Sequence, residues 1–211
     1  MIKKVINSKY SLYVLGLLIF TLGISTTIQS KLGTAPFDAL LVGLSVKIGL
    51  TVGSWEIILA LIMISMNAML TKERTEIFGL FTAFITGFGI DMWLFILHDL
   101  ITPHVWISKL IFFGIGMVVI GLGTSIYLQS NLALNPIDRL TLIIQELTSS
   151  SILFSRTAIY LFFLIMAYLF NGPIGIGTVL TVCLGGITLN FFMPITSKVL
   201  VNITSHYNTL I

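Results

Sequence analysis

Eight polar side chains stand out because they lie in or beside long apolar runs: Gln29, Asp38, Glu56, Asp91, Gln129, Asp138, Arg156 and Asn190. A charge at the centre of a bilayer costs about 2.5–3.5 kcal/mol on insertion scales, so each one at depth needs a reason. The chemistry open to them is binding. Carboxylates orient a polar group or exchange a proton, amides line a polar cavity, and a guanidinium holds an anion. Asp38 and Asp138 are the sharpest candidates. Each is the third residue of a short segment that opens with proline, at Pro36 and Pro136. The start of such a segment offers unpaired N–H groups and a positive dipole end, which suit an anionic substrate group. Plain helix-start chemistry competes with that role. Asn135 reads as the cap, Pro136 as the first helical residue and Asp138 as an acidic first-turn residue. In the first copy Ala35 holds the cap place, so Thr34 has to substitute.

The other candidates carry similar alternatives. Gln29 and Gln129, each followed by serine, either line a cavity or satisfy backbone at a helix break. Asp91 and its counterpart Asn190 are a binding pair or a structural hydrogen-bonding pair. Arg156 is expected to pair with Glu146 or to anchor an anionic lipid or substrate. A direct bridge from Arg156 to Glu56 is not expected, because the two fall near opposite membrane faces.

The elements that must position these residues are written in the composition. Of 211 residues, 56% are hydrophobic and 9% charged, and the mean hydropathy is +1.06. Soluble domains carry roughly a quarter charged residues, so part of this chain's solvent is lipid. Six runs are long enough to cross a hydrocarbon core, which takes about 20 helical residues. They are Tyr10–Ile28, Ser54–Leu70, Ile77–Leu97, Ile107–Leu128, Leu153–Phe170 and Ile174–Met193. Pro36–Ile48 and Pro136–Leu147 are too short to span and read as re-entrant or interfacial half-helices. The fold class is therefore an all-α membrane protein, residues 1–211 forming a single membrane domain.

A shift of 100 residues lays one motif on another. Leu22, Gly23, Ser25, Gln29, Ser30, Leu32, Pro36, Asp38 and Leu40 match Leu122, Gly123, Ser125, Gln129, Ser130, Leu132, Pro136, Asp138 and Leu140. Gly87 and Asp91 pair with Gly186 and Asn190 at a shift of 99. The repeats cover about 10–100 and 107–196. With a cytoplasmic N-terminus, Lys3, Lys4, Lys9, Lys72, Arg74, Arg139, Arg156 and Lys198 fall inside, and Lys31, Lys47 and Lys109 outside. If both half-helices crossed as well, seven basic residues would lie inside and four outside, so charge separates the two topologies weakly. Six spans put both termini in the cytoplasm. Three spans per unit make the units inverted, a recurring plan of secondary transporters.

Other chemistry finds little support. Cys183 is the only cysteine, so no intrachain disulfide forms. His98, Asp99 and His104 share a loop but match no metal-ligand spacing. All three histidines lie outside the spans, leaving an intramembrane protease without its base. No paired-histidine motif marks a zinc protease, no basic patch marks nucleic acid, and no cofactor is implied. The expectation is not an enzyme. Gly79, Gly87, Gly89, Gly175, Gly177, Gly185 and Gly186 read mostly as close-packing devices between helices.

Three stretches carry a resemblance: Leu32-Gly33-Thr34-Ala35-Pro36-Phe37-Asp38-Ala39-Leu40, Gly49-Leu50-Thr51-Val52-Gly53 and Gly175-Ile176-Gly177-Thr178. With them the chain resembles the bacterial YczE/YyaS/YitT-type integral membrane proteins over roughly residues 10–195. The resemblance implies a multi-span protein of the bacterial cytoplasmic membrane and supplies no catalytic or ligand residues. Phe37 stands where the family often has tryptophan. The functional expectation is a small-molecule transporter or permease. A non-catalytic scaffold or accessory protein that docks a membrane partner is the alternative, and the substrate-binding subunit of a vitamin importer ranks third.

Overall fold

An apolar run in lipid must satisfy its own backbone, and a helix does so within one segment. The computed structural model describes residues 2–72 and 77–209, with side chains for 9–72 and 78–199. Arg74 and the side chains of Lys3, Lys4 and His206 lie outside the described residues. Among those described there are eight helices and no strand: α1 (Ile2–Gln29), α2 (Pro36–Ile48), α3 (Val52–Thr71), α4 (Ile77–Leu97), α5 (Trp106–Leu128), α6 (Pro136–Thr148), α7 (Ile152–Leu169) and α8 (Ile176–Thr209). Six of them, all but α2 and α6, are long and apolar enough to cross a membrane. The chain is a multi-pass membrane protein. The expected runs match these helices closely except at two outer ends, where α1 starts earlier and α8 continues past Pro194. A helix needs no apolar run once it leaves the lipid, so hydropathy misses such extensions.

The first helices of the two units cross at four glycines. Gly16 faces Tyr127, Gly23 faces Ile120 and Gly116, Gly116 faces Thr27, and Gly123 faces Phe20 and Gly16. A Cβ at any of the four would collide with the facing helix. The partner's number falls as the first number rises, so α1 and α5 run antiparallel. Each contact also has a mate under the 100-residue shift: Gly16–Tyr127 with Thr27–Gly116, Gly23–Ile120 with Phe20–Gly123, and Gly23–Gly116 with Gly16–Gly123.

The remaining packing follows the same exchange. α4 lies on α1 as α8 lies on α5, α2 lies on α7 as α6 lies on α3, and α2–α3 matches α6–α7. Two helix groups result: α1, α4, α5 and α8 in one, α2, α3, α6 and α7 in the other. Phe37, Leu40, Leu41, Leu44, Ile159 and Phe163 fill the core of the second group, with Phe37 edge-on to Phe163 at 4.9 Å. The groups meet where α3 packs on α4; α7 makes no comparable packing with α8. That difference breaks the symmetry.

Both units break the chain after their first helix in one way. Ser30 and Ser130 donate to the carbonyls of Thr27 and Tyr127, each at 2.6 Å. Lys31 and Asn131 then turn the backbone through the left-handed region, at φ 59° and 51°. Gly33, at φ 97°, packs against Gly175 and Thr178, and Gly177 N–H donates to Leu32 O at 2.8 Å. Two of the three stretches that carried the resemblance thus meet in space.

Candidate functional site: a polar centre between the helix groups

The half-helices place Asp38 and Asp138 on the second group, where it faces the first. Asn135 caps α6 as expected, accepting from Ile137 N–H at 3.1 Å. Ala35 gives α2 no side-chain cap, and Thr34 does not substitute. Its hydroxyl pairs with Thr27 at 3.0 Å and lies within hydrogen-bonding reach of Asp38. Each half-helix docks on the second span of the opposite unit, where part of its apolar face is buried.

Around the aspartates lies a chain of polar groups. Glu56 is within electrostatic range of Asp38 and accepts from Thr86 of α4 at 3.1 Å. Tyr127 donates to Asp138 at 3.3 Å and meets Tyr13 edge-on at 6.4 Å, and Tyr13 hydrogen-bonds Thr82. Arg156 donates to the Tyr160 hydroxyl at 3.1 Å and lies within range of Asp138. Tyr160 lies within electrostatic range of both aspartates. The expected pairing of Arg156 with Glu146 is not made. Tyr160 is one helical turn from Arg156 on the same face, and no ion pair joins Arg156 to Glu146 among the described residues. The separation of Glu56 from Arg156 holds, each staying beside its own unit's aspartate.

Exposure divides the centre. Asp38 and Glu56 are buried, at 7% and 4% exposure, whereas Asp138, Arg156 and Tyr160 are only half-buried. The buried pair lies at the α3–α4 seam and the half-buried group at the α7 side, where no seam has closed.

The remaining predicted residues do other work. Asp91 reaches the start of α3, accepting from the Thr51 hydroxyl at 2.6 Å and Gly53 N–H at 2.7 Å. It is a structural tie, and Asn190 is exposed on α8 far from it in role. Gln129 ties α5 to α8 through Thr196 and the Met193 carbonyl. Gln29 ends α1 half-buried. Gly185 and Gly186, expected to pack closely, have open space around them. Sequence reasoning missed Tyr127, Tyr160 and Thr86, since single hydroxyls in apolar runs have no spacing signal. It also missed Gly16 and Gly116, which match at the same shift of 100 as Gly23 and Gly123. His98 and Asp99 pair at 2.8 Å on the exposed surface. A groove lined by Phe78, Leu128, Asn131 and Arg139 lies at the second break, apart from the polar centre.

Fold and site together define a multi-pass membrane protein with a polar centre held between two helix groups. The chain belongs to the family described as "Family of unknown function (DUF6198)", which matches residues 7–194. It is 60% identical over 190 residues to "Uncharacterized protein YyaS" of Bacillus subtilis, covering 90% of this chain and 94% of that protein. It is 35% identical over 187 residues to "Uncharacterized membrane protein YczE" of the same organism, covering 88% and 86%. A Haemophilus influenzae protein described as "Uncharacterized protein" is 28% identical over 190 residues, covering 89% and 84%. The YyaS and YczE parts of the expected resemblance are therefore met. No solved structure matches the chain.

Proposed function

We propose that this protein is a small-molecule transporter of the bacterial cytoplasmic membrane, built from two inverted units with both termini in the cytoplasm. One observation carries the reading. A polar centre lies on the joint between two helix groups that are zipped together on one side only. Antiparallel α1 and α5 support the inversion, because the two halves then have equivalent but opposite tilts available. Under this topology the starts of α3 and α7 lie toward the outer and inner faces. The closed seam then faces outward and the open one faces the cytoplasm.

The centre also bears on the solute. The centre holds three acids, Asp38, Glu56 and Asp138, and one guanidinium, Arg156, which is within range of Asp138, in surroundings where unbalanced charge is costly. Asp38 and Glu56 have no basic partner among the described residues, which favours a solute that brings them a hydrogen-bond donor or a positive group. The work proposed is binding and release, with no bond chemistry, metal or cofactor.

A melting-temperature screen of purified protein against small amines and zwitterions is the first test. A hit should raise the melting temperature in the parent and not in the double variant Asp38→Asn, Asp138→Asn. If that variant reaches the membrane and takes up the same solute at an unchanged rate, the reading fails. A stoichiometric membrane partner with no solute-dependent shift would favour a scaffold instead.

A further inference from the structure

The open seam retains counterparts of Thr51, Gly87 and Asp91, which help to close the other. On α3, Thr51 starts the helix and its hydroxyl accepts from Ser54 N–H at 3.1 Å; on α7, Ser151 accepts from Phe154 N–H at 3.2 Å. Across the closed seam Asp91 takes the Thr51 hydroxyl, and Gly87 lets α4 meet Gly53. The matching places on α8 hold Asn190 and Gly186.

α8 is already aligned to use them. Gly89 of α4 packs on Thr21 of α1, and Thr188 of α8 packs on Gly121 of α5, the same contact with its two residue types exchanged. α8 therefore sits on α5 in the register that α4 keeps on α1. The face carrying Gly186 and Asn190 is the one α4 turns toward α3. Here that face is bare: Asn190 is exposed, and a Cβ at Gly186 would meet nothing within 4 Å. A primary amide left bare within an apolar span loses its water and gains no partner.

We infer that α8 closes on α7, with the Asn190 carbonyl accepting the Ser151 hydroxyl, and that the α3–α4 seam opens as it does so. The two seams are alternative latches, of which this structure has the first engaged. The residue differences set the bias. A carboxylate accepts more strongly than an amide, and Leu153, where the first unit has Gly53, keeps the second seam from closing as tightly. The latches give the proposed transporter its two faces and rest on that reading for their purpose only.

The test measures seam width directly. Nitroxide labels go on Phe154→Cys and Ile187→Cys in a Cys183→Ser background, all exposed positions, and pulsed EPR reads the distance in nanodiscs. Asn190→Asp should raise the short-distance population about tenfold. Ser151→Ala, which removes one hydroxyl at an exposed helix start, should deplete that population. Disulfide formation in Leu153→Cys, Gly186→Cys checks the same closure. One distance distribution shared by parent, Asn190→Asp and Ser151→Ala would overturn the inference, as would failure of the disulfide to form. Seams that switch while no solute moves would keep the inference and end the transport reading. Fixed seams with intact uptake would end this inference alone.

Discussion

The seam between α3 and α4 and the gap between α7 and α8 are built at matching places in the two units, yet only the first is closed. In the first, Gly53 and Gly87 let two backbones touch, Thr86 crosses to Glu56, and Asp91 ties the start of α3. In the second, the matching residues are Leu153, Gly186, Gly185, Arg156 and Asn190. Small residues dominate tight helix contacts in lipid because backbones must approach closely for dispersion and weak polar contacts to act. A leucine and an arginine at the seam therefore bias the second pair of helices toward standing apart. The half-burial of Asp138 and Arg156, beside the full burial of Asp38 and Glu56, follows from that difference.

The comparison can be broken most severely by moving its largest residue. Gly53→Leu puts a side chain into the Gly87 carbonyl and Asp91; the expected cost is about 3 kcal/mol, read as a fall in melting temperature of roughly 6–12 °C. The mirror change, Leu153→Gly, should cost no more than about 1 kcal/mol of helix propensity. Equal losses from the two would show that the seams do not differ as described. Next comes Gly87→Ala, whose Cβ would sit 2.6 Å from the Gly53 carbonyl, against Gly186→Ala in open space. Thermal melts should show the first destabilised by about 1–3 kcal/mol and the second unchanged or stabilised by up to about 1 kcal/mol. Thr86→Val keeps the shape and deletes the donor to Glu56. Leaving that buried acceptor without its partner should cost about 1–2 kcal/mol, and a matching Gly185→Val should leave the melting temperature nearly unmoved. The smallest effect belongs to Asp91→Asn, which makes the first seam chemically like the second. One uncharged acceptor oxygen is left for the Gly53 N–H, and the Thr51 bond must reverse so that the new amide donates to the hydroxyl, so about 1 kcal/mol is expected. Hydrogen exchange at the Gly53 amide should speed up by several-fold, and an unchanged rate would remove Asp91 from the seam.

Hydropathy and the repeat carried much of this in the sequence. The six spans, the two proline-led half-helices and the duplicated break at Ser30 and Ser130 follow from local residue choice, which a linear reading can see. Pro36 and Asp38 mark the start of α2 whatever surrounds them, and Asn135 caps α6 by its own side chain. Which helix lies beside which is set by contacts between distant residues and left no local trace. Docking of α2 on α7, Thr86 on Glu56, and Gly33 against Gly175 all depend on such contacts. Arg156 illustrates the limit. Glu146 is its near neighbour in sequence, but the helix places Tyr160 one turn along the same face. Asp91 is a second case: its partners Thr51 and Gly53 lie on another helix and leave no mark near it in the sequence.

The crossing of α1 and α5 carries one more consequence. Because each of its contacts is returned by its mate, the surface that one helix offers is the surface it receives. An interface of that kind is isologous, the type that joins two copies of one subunit about a dyad. The two halves of this chain meet as a covalent homodimer would. The stretch from Asp99 to Val105 joins the two halves. A half-length chain inserted in both orientations would carry the same self-complementary surface. The halves differ at the rims, where one has Gly53 and the other Leu153, and agree at the dyad, where Gly16 and Gly23 match Gly116 and Gly123.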